Sequence, residues 1–263
     1  MDPLLLGLVA LLLFLVAFVY SNLGMGGGHL FVPILLTFVT SLKEVAVPMS
    51  LAFTIATAIS ATYNHHRRGL VNGRLATFLV GGALIGAVIG ALFTLASSRV
   101  VFLAFFSIVL VVVGMKMLRD WLRRVETFDR DDDSRMTRPR LTMASTTTLS
   151  SGFLAGSLGI GGGVANVPIM VYLLGRRTRL AIGTSTLMII PISTIGIASY
   201  FVFGGPSPLD YGVLAVLWPL VLIGSFLGSR WGLEKLRARS VALIFILVLF
   251  VAAGKLLMDL ALG

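Results

Sequence analysis

Apolar stretches separated by short polar breaks run along almost the whole chain, at roughly 3–22, 30–41, 44–63, 75–97, 100–118, 142–158, 164–174, 180–203, 211–229 and 241–260. Runs of about twenty apolar residues match the length a helix needs to cross the hydrocarbon core. Helix is the open conformation that satisfies its own backbone in lipid. The pattern therefore predicts an all-α polytopic membrane protein. One stretch, RDWLRRVETFDRDDDSRMTRPRL at 119–141, is conspicuously polar and reads as a charged cytoplasmic linker between regions 1–118 and 142–263. The first apolar run has neither a basic n-region nor an A-x-A cleavage site, so it is expected to be retained.

Composition agrees with this reading. The chain is 57% hydrophobic and only 12% charged, where a soluble domain carries about 25% charged residues. A water-facing surface cannot be built from it. The absence of Cys excludes disulfides, thiolate metal sites and thiol nucleophiles. The net charge of +10 fits the basic bias of cytoplasmic loops better than nucleic-acid binding.

The two halves repeat. At an offset of 135 residues Gly24, Gly26, Gly27, Gly28 and Pro33 fall on Gly159, Gly161, Gly162, Gly163 and Pro168, and Ser50 falls on Ser185. At 138, Gly86 and Gly90 fall on Gly224 and Gly228. Internal duplication of this kind is typical of transporters. If each glycine-broken segment, 3–41 and 142–174, is a hairpin followed by three transmembrane helices, the halves are inverted-topology repeats. Arg67, Arg68, Arg74, the linker cations, Arg176, Arg177, Arg179, Arg230, Lys235, Arg237 and Arg239 then share the cytoplasmic side, opposite Lys43, Arg99 and Lys255. Single crossings would split the cations more evenly, so the positive-inside bias favours hairpins, with both termini outside.

The glycine clusters are where chemistry is expected. Four glycines in five residues, in Asn22-Leu-Gly-Met-Gly-Gly-Gly-His29 and Ser157-Leu-Gly-Ile-Gly-Gly-Gly-Val164, break a helix and free its amides. Unwound backbone at membrane depth is tolerated where it lines a cavity or is buried in protein. The helices restarting at Gly28 and Gly163 would aim two N-termini at one site, a cradle for an anion. Asn22, Ser50, Thr54, Asn166, Thr184 and Ser185 are placed to complete its hydrogen-bond shell, beside Gly24, Gly26, Gly27, Gly28, Gly159, Gly161, Gly162 and Gly163. Close helix packing is the competing use of such glycines, and it is favoured for Gly82, Gly86 and Gly90 and for Gly224, Gly228 and Gly232.

His29 is the ionisable group beside a break, open to proton coupling or to the role of a satisfied core histidine; its repeat mate is Val164. His65 and His66, in HHRRG, read as part of a solvated basic loop, and no metal-ligand spacing is present. Apart from Asp210 near an outer loop, no Asp or Glu is expected inside a span, which speaks against a cation pathway. Neither H-E-x-x-H nor G-x-S-x-G occurs, so an intramembrane enzyme or assembly factor is disfavoured. No cofactor is expected.

GMGGGHLFVPIL and GIGGGVANVPIM, one opening each half, with AVPMS and AIGTS following, resemble the TauE/SafE family of sulfite and organosulfonate exporters. The resemblance spans essentially the whole chain. It implies a prokaryotic plasma-membrane permease for small sulfur-containing anions such as sulfite or sulfoacetate, with the anion held at Gly24–Gly28 and Gly159–Gly163. Alternating access around that site is the expected mechanism, and an anion channel is the alternative. An inside-negative potential favours anion efflux by about 2.3 kcal/mol per charge per 100 mV.

Overall fold

A computed structural model of the chain describes residues 3–122, 131–204, 209–235 and 238–262. Its helices are α1 (Pro3–Tyr20), α2 (Gly28–Phe38), α3 (Lys43–Arg67), α4 (Gly73–Ala96), α5 (Arg99–Leu122), α6 (Arg138–Leu158), α7 (Gly163–Pro168), α8 (Thr178–Phe203), α9 (Tyr211–Lys235) and α10 (Ala238–Leu262). A π turn, Ile169–Leu173, continues α7. No strand occurs among the described residues. Every apolar segment expected from the sequence is helical. Residues 123–130, with the linker cations Arg123, Arg124 and Arg130, and residue Arg237 lie outside the described residues.

Helices α3, α4, α5, α8 and α9 are long and apolar enough to cross a membrane. Helix α6 has the length but carries the hydroxyl-rich run TMASTTTLSS. Two of those hydroxyls turn back on their own helix. Thr147 Oγ1 donates to Met143 O at 2.7 Å and Ser150 Oγ to Thr147 O at 2.7 Å, so each is satisfied locally.

Helices α6 and α7 form a hairpin. The amide of Asp132, just before α6, donates to Gly175 O at 2.9 Å, and Arg135 Nη1 donates to Tyr172 O at 3.2 Å. The chain thus returns to the side on which it started. Asp131 joins this strap through the Arg177 amide at 2.9 Å. The Ser134 hydroxyl, with Arg135 beside it, holds the Asp132 carboxyl below its ordinary range. In the first half, Val16 of α1 reaches back against Gly27, and the Tyr20 and His29 rings meet edge to face at 4.3 Å.

The remaining helices cross between the halves. Helix α3 packs on α8 and α9, α4 on α6 and α8, α1 on α9, and α5 on α10. Glycines set the closest of these contacts. A Cβ at Gly86 would stand 2.0 Å from Leu149 O and one at Gly90 2.2 Å from Phe153 O, which joins α4 to α6. Equivalent atoms would stand 2.7 Å from Phe14 O at Gly224 and 1.9 Å from Phe18 O at Gly228, which joins α9 to α1. Backbones approach this closely only where no side chain intervenes. The packing role expected for Gly82, Gly86, Gly90, Gly224 and Gly228 is observed; the surroundings of Gly232 lie outside the described side chains.

Two expectations fail. Carboxylates do occur within helices: Glu44 opens α3 and Asp259 lies in the last turn of α10, each beside a lysine, Lys43 at 2.7 Å and Lys255 at 3.4 Å. Both sit towards helix ends, each in a pair without net charge. His65 is not part of a solvated loop. It belongs to the last turns of α3 and is buried, whereas its neighbour His66 is exposed.

Candidate functional site

Both glycine breaks meet in the middle of the bundle. Gly26 and Gly161 lie against the same two residues, Thr54 and Ile189, about midway along α3 and α8. The breaks also touch each other. A Cβ at Gly28 would stand 1.9 Å from Gly159 O, and one at Gly163 would stand 2.2 Å from Gly24 O. No side chain fits at either contact, which is why glycine occupies both positions.

The turns themselves need glycine for a second reason. Gly24, Gly26 and Gly27 have φ of 67°, 76° and 86°, and Gly159, Gly161 and Gly162 have 69°, 79° and 78°. These left-handed values are disfavoured for residues carrying a Cβ. Gly27 and Gly162 then cap α2 and α7, and Gly159 caps the end of α6.

A serine from the opposite half anchors each break. Ser185 Oγ on α8 donates to Gly24 O at 2.8 Å, and Ser50 Oγ on α3 donates to Gly159 O at 2.9 Å. The ends of the preceding helices are held the same way. His65 Nε2 donates to Ser21 O at 3.2 Å and Tyr200 Oη to Gly156 O at 2.9 Å, and all four members of these contacts pair at the 135-residue offset.

With these carbonyls occupied, what remains at the centre is a set of donors. The amides of Gly26 and Gly27 and of Ile160, Gly161 and Gly162 are buried and donate to no backbone acceptor among the described residues. Thr54 Oγ1 and Asn166 Nδ2 are likewise buried without a partner, as are both ring nitrogens of His29. Leaving a buried polar group unpaired costs about 1–3 kcal/mol. A concentration of unpaired donors on two converging turns is stabilised by a ligand rich in acceptors.

The other expected residues distribute as follows. Asn166 faces the second hairpin, its side-chain amide 2.6 Å from Ser151 Oγ; Ser151, whose hydroxyl donates to Gly162 O at 2.8 Å, carried no signal in the sequence. Asn22 ties the end of α1 to α9, donating from Nδ2 to Gly228 O at 3.0 Å, while its Oδ1 is buried without a partner. Thr184 does not join the breaks. Its Oγ1 accepts from the Asn72 amide at 3.0 Å, in the turn ahead of α4, so it serves that connection. Among the described residues no cluster of His, Asp and Glu could hold a metal ion.

The family described as sulfite exporter TauE/SafE matches residues 9–256. A Bacillus subtilis protein, "Probable membrane transporter protein YdhB", is 25% identical over 85% of this chain and 89% of its own length. A second from that organism, "Probable membrane transporter protein YunE", is 27% identical over 91% of this chain and 92% of its own. A "Probable membrane transporter protein" of Xylella fastidiosa is 32% identical over 66% of each chain. No solved structure matches the chain.

Proposed function

The chain belongs to the sulfite exporter TauE/SafE family of membrane transporters, and from that premise we propose that it exports a small sulfur-containing oxyanion, such as sulfite or an organosulfonate, across a prokaryotic plasma membrane. The observation that carries this reading is the buried set of unpaired amides where the two glycine breaks meet. Bringing an anion into low dielectric is costly unless charge-assisted donors replace its water. The amides of Gly26, Gly27, Gly161 and Gly162, the Thr54 hydroxyl and the Asn166 amide are such donors. They add the positive ends of α2 and of the α7 helix without placing a buried Lys or Arg in the site. The bound state is therefore held by dipoles, which release an anion more readily than a fixed opposite charge.

The contacts that recur at the 135-residue offset support two inverted-topology repeats, 1–118 and 142–263, related by a pseudo-twofold axis through the breaks. The bodies that move are not the sequence halves. Because α9 is seated on α1 and α4 on α6 through glycine–carbonyl contacts, one body comprises α1, α2, α3 and α9, and the other α6, α7, α8 and α4. Rocking along the α3–α8 interface exposes the anion to one side and then to the other. With the basic loops cytoplasmic, membrane potential drives the anion outward.

Purified protein in liposomes tests this. Saturable efflux of sulfite or sulfoacetate, with counterflow, and loss of about tenfold or more in Thr54→Val are expected. Channel-like, non-saturable flux, or the absence of flux for every sulfur oxyanion, would contradict the reading.

A further inference from the structure

We infer that an anionic phospholipid docks where α3 and α9 end side by side, its phosphate held by Arg67, Arg68 and Arg230 and its acyl chains lying along the two helices. The helices run parallel here. Asn64 Nδ2 donates to Phe226 O at 3.1 Å, and one turn further on Arg68 Nη2 donates to Arg230 O at 2.7 Å. The three arginines therefore share one edge of the bundle. All three are exposed, and among the described residues none of them pairs with a carboxylate. Acids are scarce in both helices: α3 has only Glu44, at its opposite end, and α9 has only Glu234, followed directly by Lys235.

From the bundle interior towards this edge, the surface changes in the order in which a lipid does. Between Ala46 and His65 the exposed residues of α3 are Ile59 and Tyr63 alone. With Arg67 they stand at four-residue spacing and so on one face of the helix. Helix α9 follows the same order with Ile223, Phe226, and then Arg230 and Trp231. Tyr63 is 53% and Trp231 55% exposed, and rings of this amphipathic kind gather at the boundary between membrane and water. The Tyr63 ring stacks on Phe226 at 6.4 Å and carries the Arg67 guanidinium at 5.7 Å from its centre, which holds that cation at the boundary. Apolar, aromatic and cationic steps thus match the acyl chain, the glycerol level and the phosphate. Guanidinium groups take phosphate oxygens through paired N–H donors, and cations beside a membrane surface attract anionic headgroups. A free phosphate would use the cations and leave the Ile59 and Ile223 strip without a partner. A zwitterionic lipid would bring a further cation to an edge that already holds three.

Native mass spectrometry of the detergent-solubilised full chain tests this, with phosphatidylglycerol and phosphatidylcholine of identical acyl chains added in equal amounts. The wild type is expected to retain phosphatidylglycerol over phosphatidylcholine by about fivefold or more, and to keep it when inorganic phosphate is added in excess. Arg67→Gln combined with Arg230→Gln should reduce the preference to less than about twofold; Arg68 is left in place because it ties α3 to α9. Arg138→Gln combined with Arg140→Gln removes the same charge from exposed positions on α6 and should keep the wild-type preference. Equal retention of the two lipids by the wild type, an equal loss in the α6 variant, or displacement of the lipid by inorganic phosphate would overturn the proposal. So would a dimer mass that disappears in the Arg67 and Arg230 variant while lipid retention stays unchanged, which would make this edge a contact between copies of the chain.

Discussion

At the scale of single residues, two glycines of one helix can do opposite things. Gly86 lies where a Cβ would meet Leu149 O at 2.0 Å, whereas Gly81, on the same helix, has nothing within 4 Å. Gly86→Ala must push α4 off α6, an overpacking cost of about 1–3 kcal/mol. Gly81→Ala removes only the entropic penalty of a helical glycine, a gain of about 0.5–1 kcal/mol. Thermal unfolding of the purified protein in detergent checks both, with a lower midpoint expected for the first and an unchanged or higher one for the second. The sequence assigns the Gly82, Gly86 and Gly90 row to packing because its four-residue spacing forms one face. It could not identify the partner carbonyls, because those depend on which helix lies opposite.

At the scale of elements, hydropathy alone marked the helices because apolar length is dictated by the bilayer. Charge alone favours hairpins, and a strap joining Asp131 and Asp132 to Gly175 and Arg177 closes one between α6 and α7. The central serines were also legible, since Ser50 and Ser185 match across the repeat, and each proves to hold a carbonyl of the opposite break. Three features were not. Thr184 has the same chemistry as its neighbour Ser185, but one step along a helix turns a side chain by about 100°, and it faces the Asn72 turn instead. His65 lies in a basic sequence context that suggests water, yet the turn it occupies is covered by the end of α1. Ser151 has no matching hydroxyl in the first half, where Val16 stands at its place, so duplication gave no hint of its contact with Asn166.

At the scale of the whole molecule, the packing of α4 on α6 and of α9 on α1 is the premise of the proposed rocking motion. The natural lack of Cys makes this directly testable with paired cysteines. Phe78 and Ser145 belong to α4 and α6, where the Ser145 hydroxyl donates to Phe78 O at 3.3 Å. Leu51 and Gly196 bridge α3 and α8, with a Cβ at Gly196 standing 2.9 Å from Leu51 Cδ1. Cross-linking Phe78→Cys to Ser145→Cys is expected to leave transport within about twofold of the uncross-linked protein. Cross-linking Leu51→Cys to Gly196→Cys should abolish it, with recovery on reduction. Loss of transport with both cross-links would show that the sequence halves move as units.

In the proposed site the glycine amides are the groups that hold the anion. The most direct measurement is the amide proton shift of ¹⁵N-glycine-labelled protein in lipid as sulfite is added. Saturable downfield shifts confined to Gly26, Gly27, Gly161 and Gly162, and weakened in Thr54→Val, are the predicted result. Saturable sulfite transport with those four amides unmoved would contradict the account and place the anion elsewhere in the bundle.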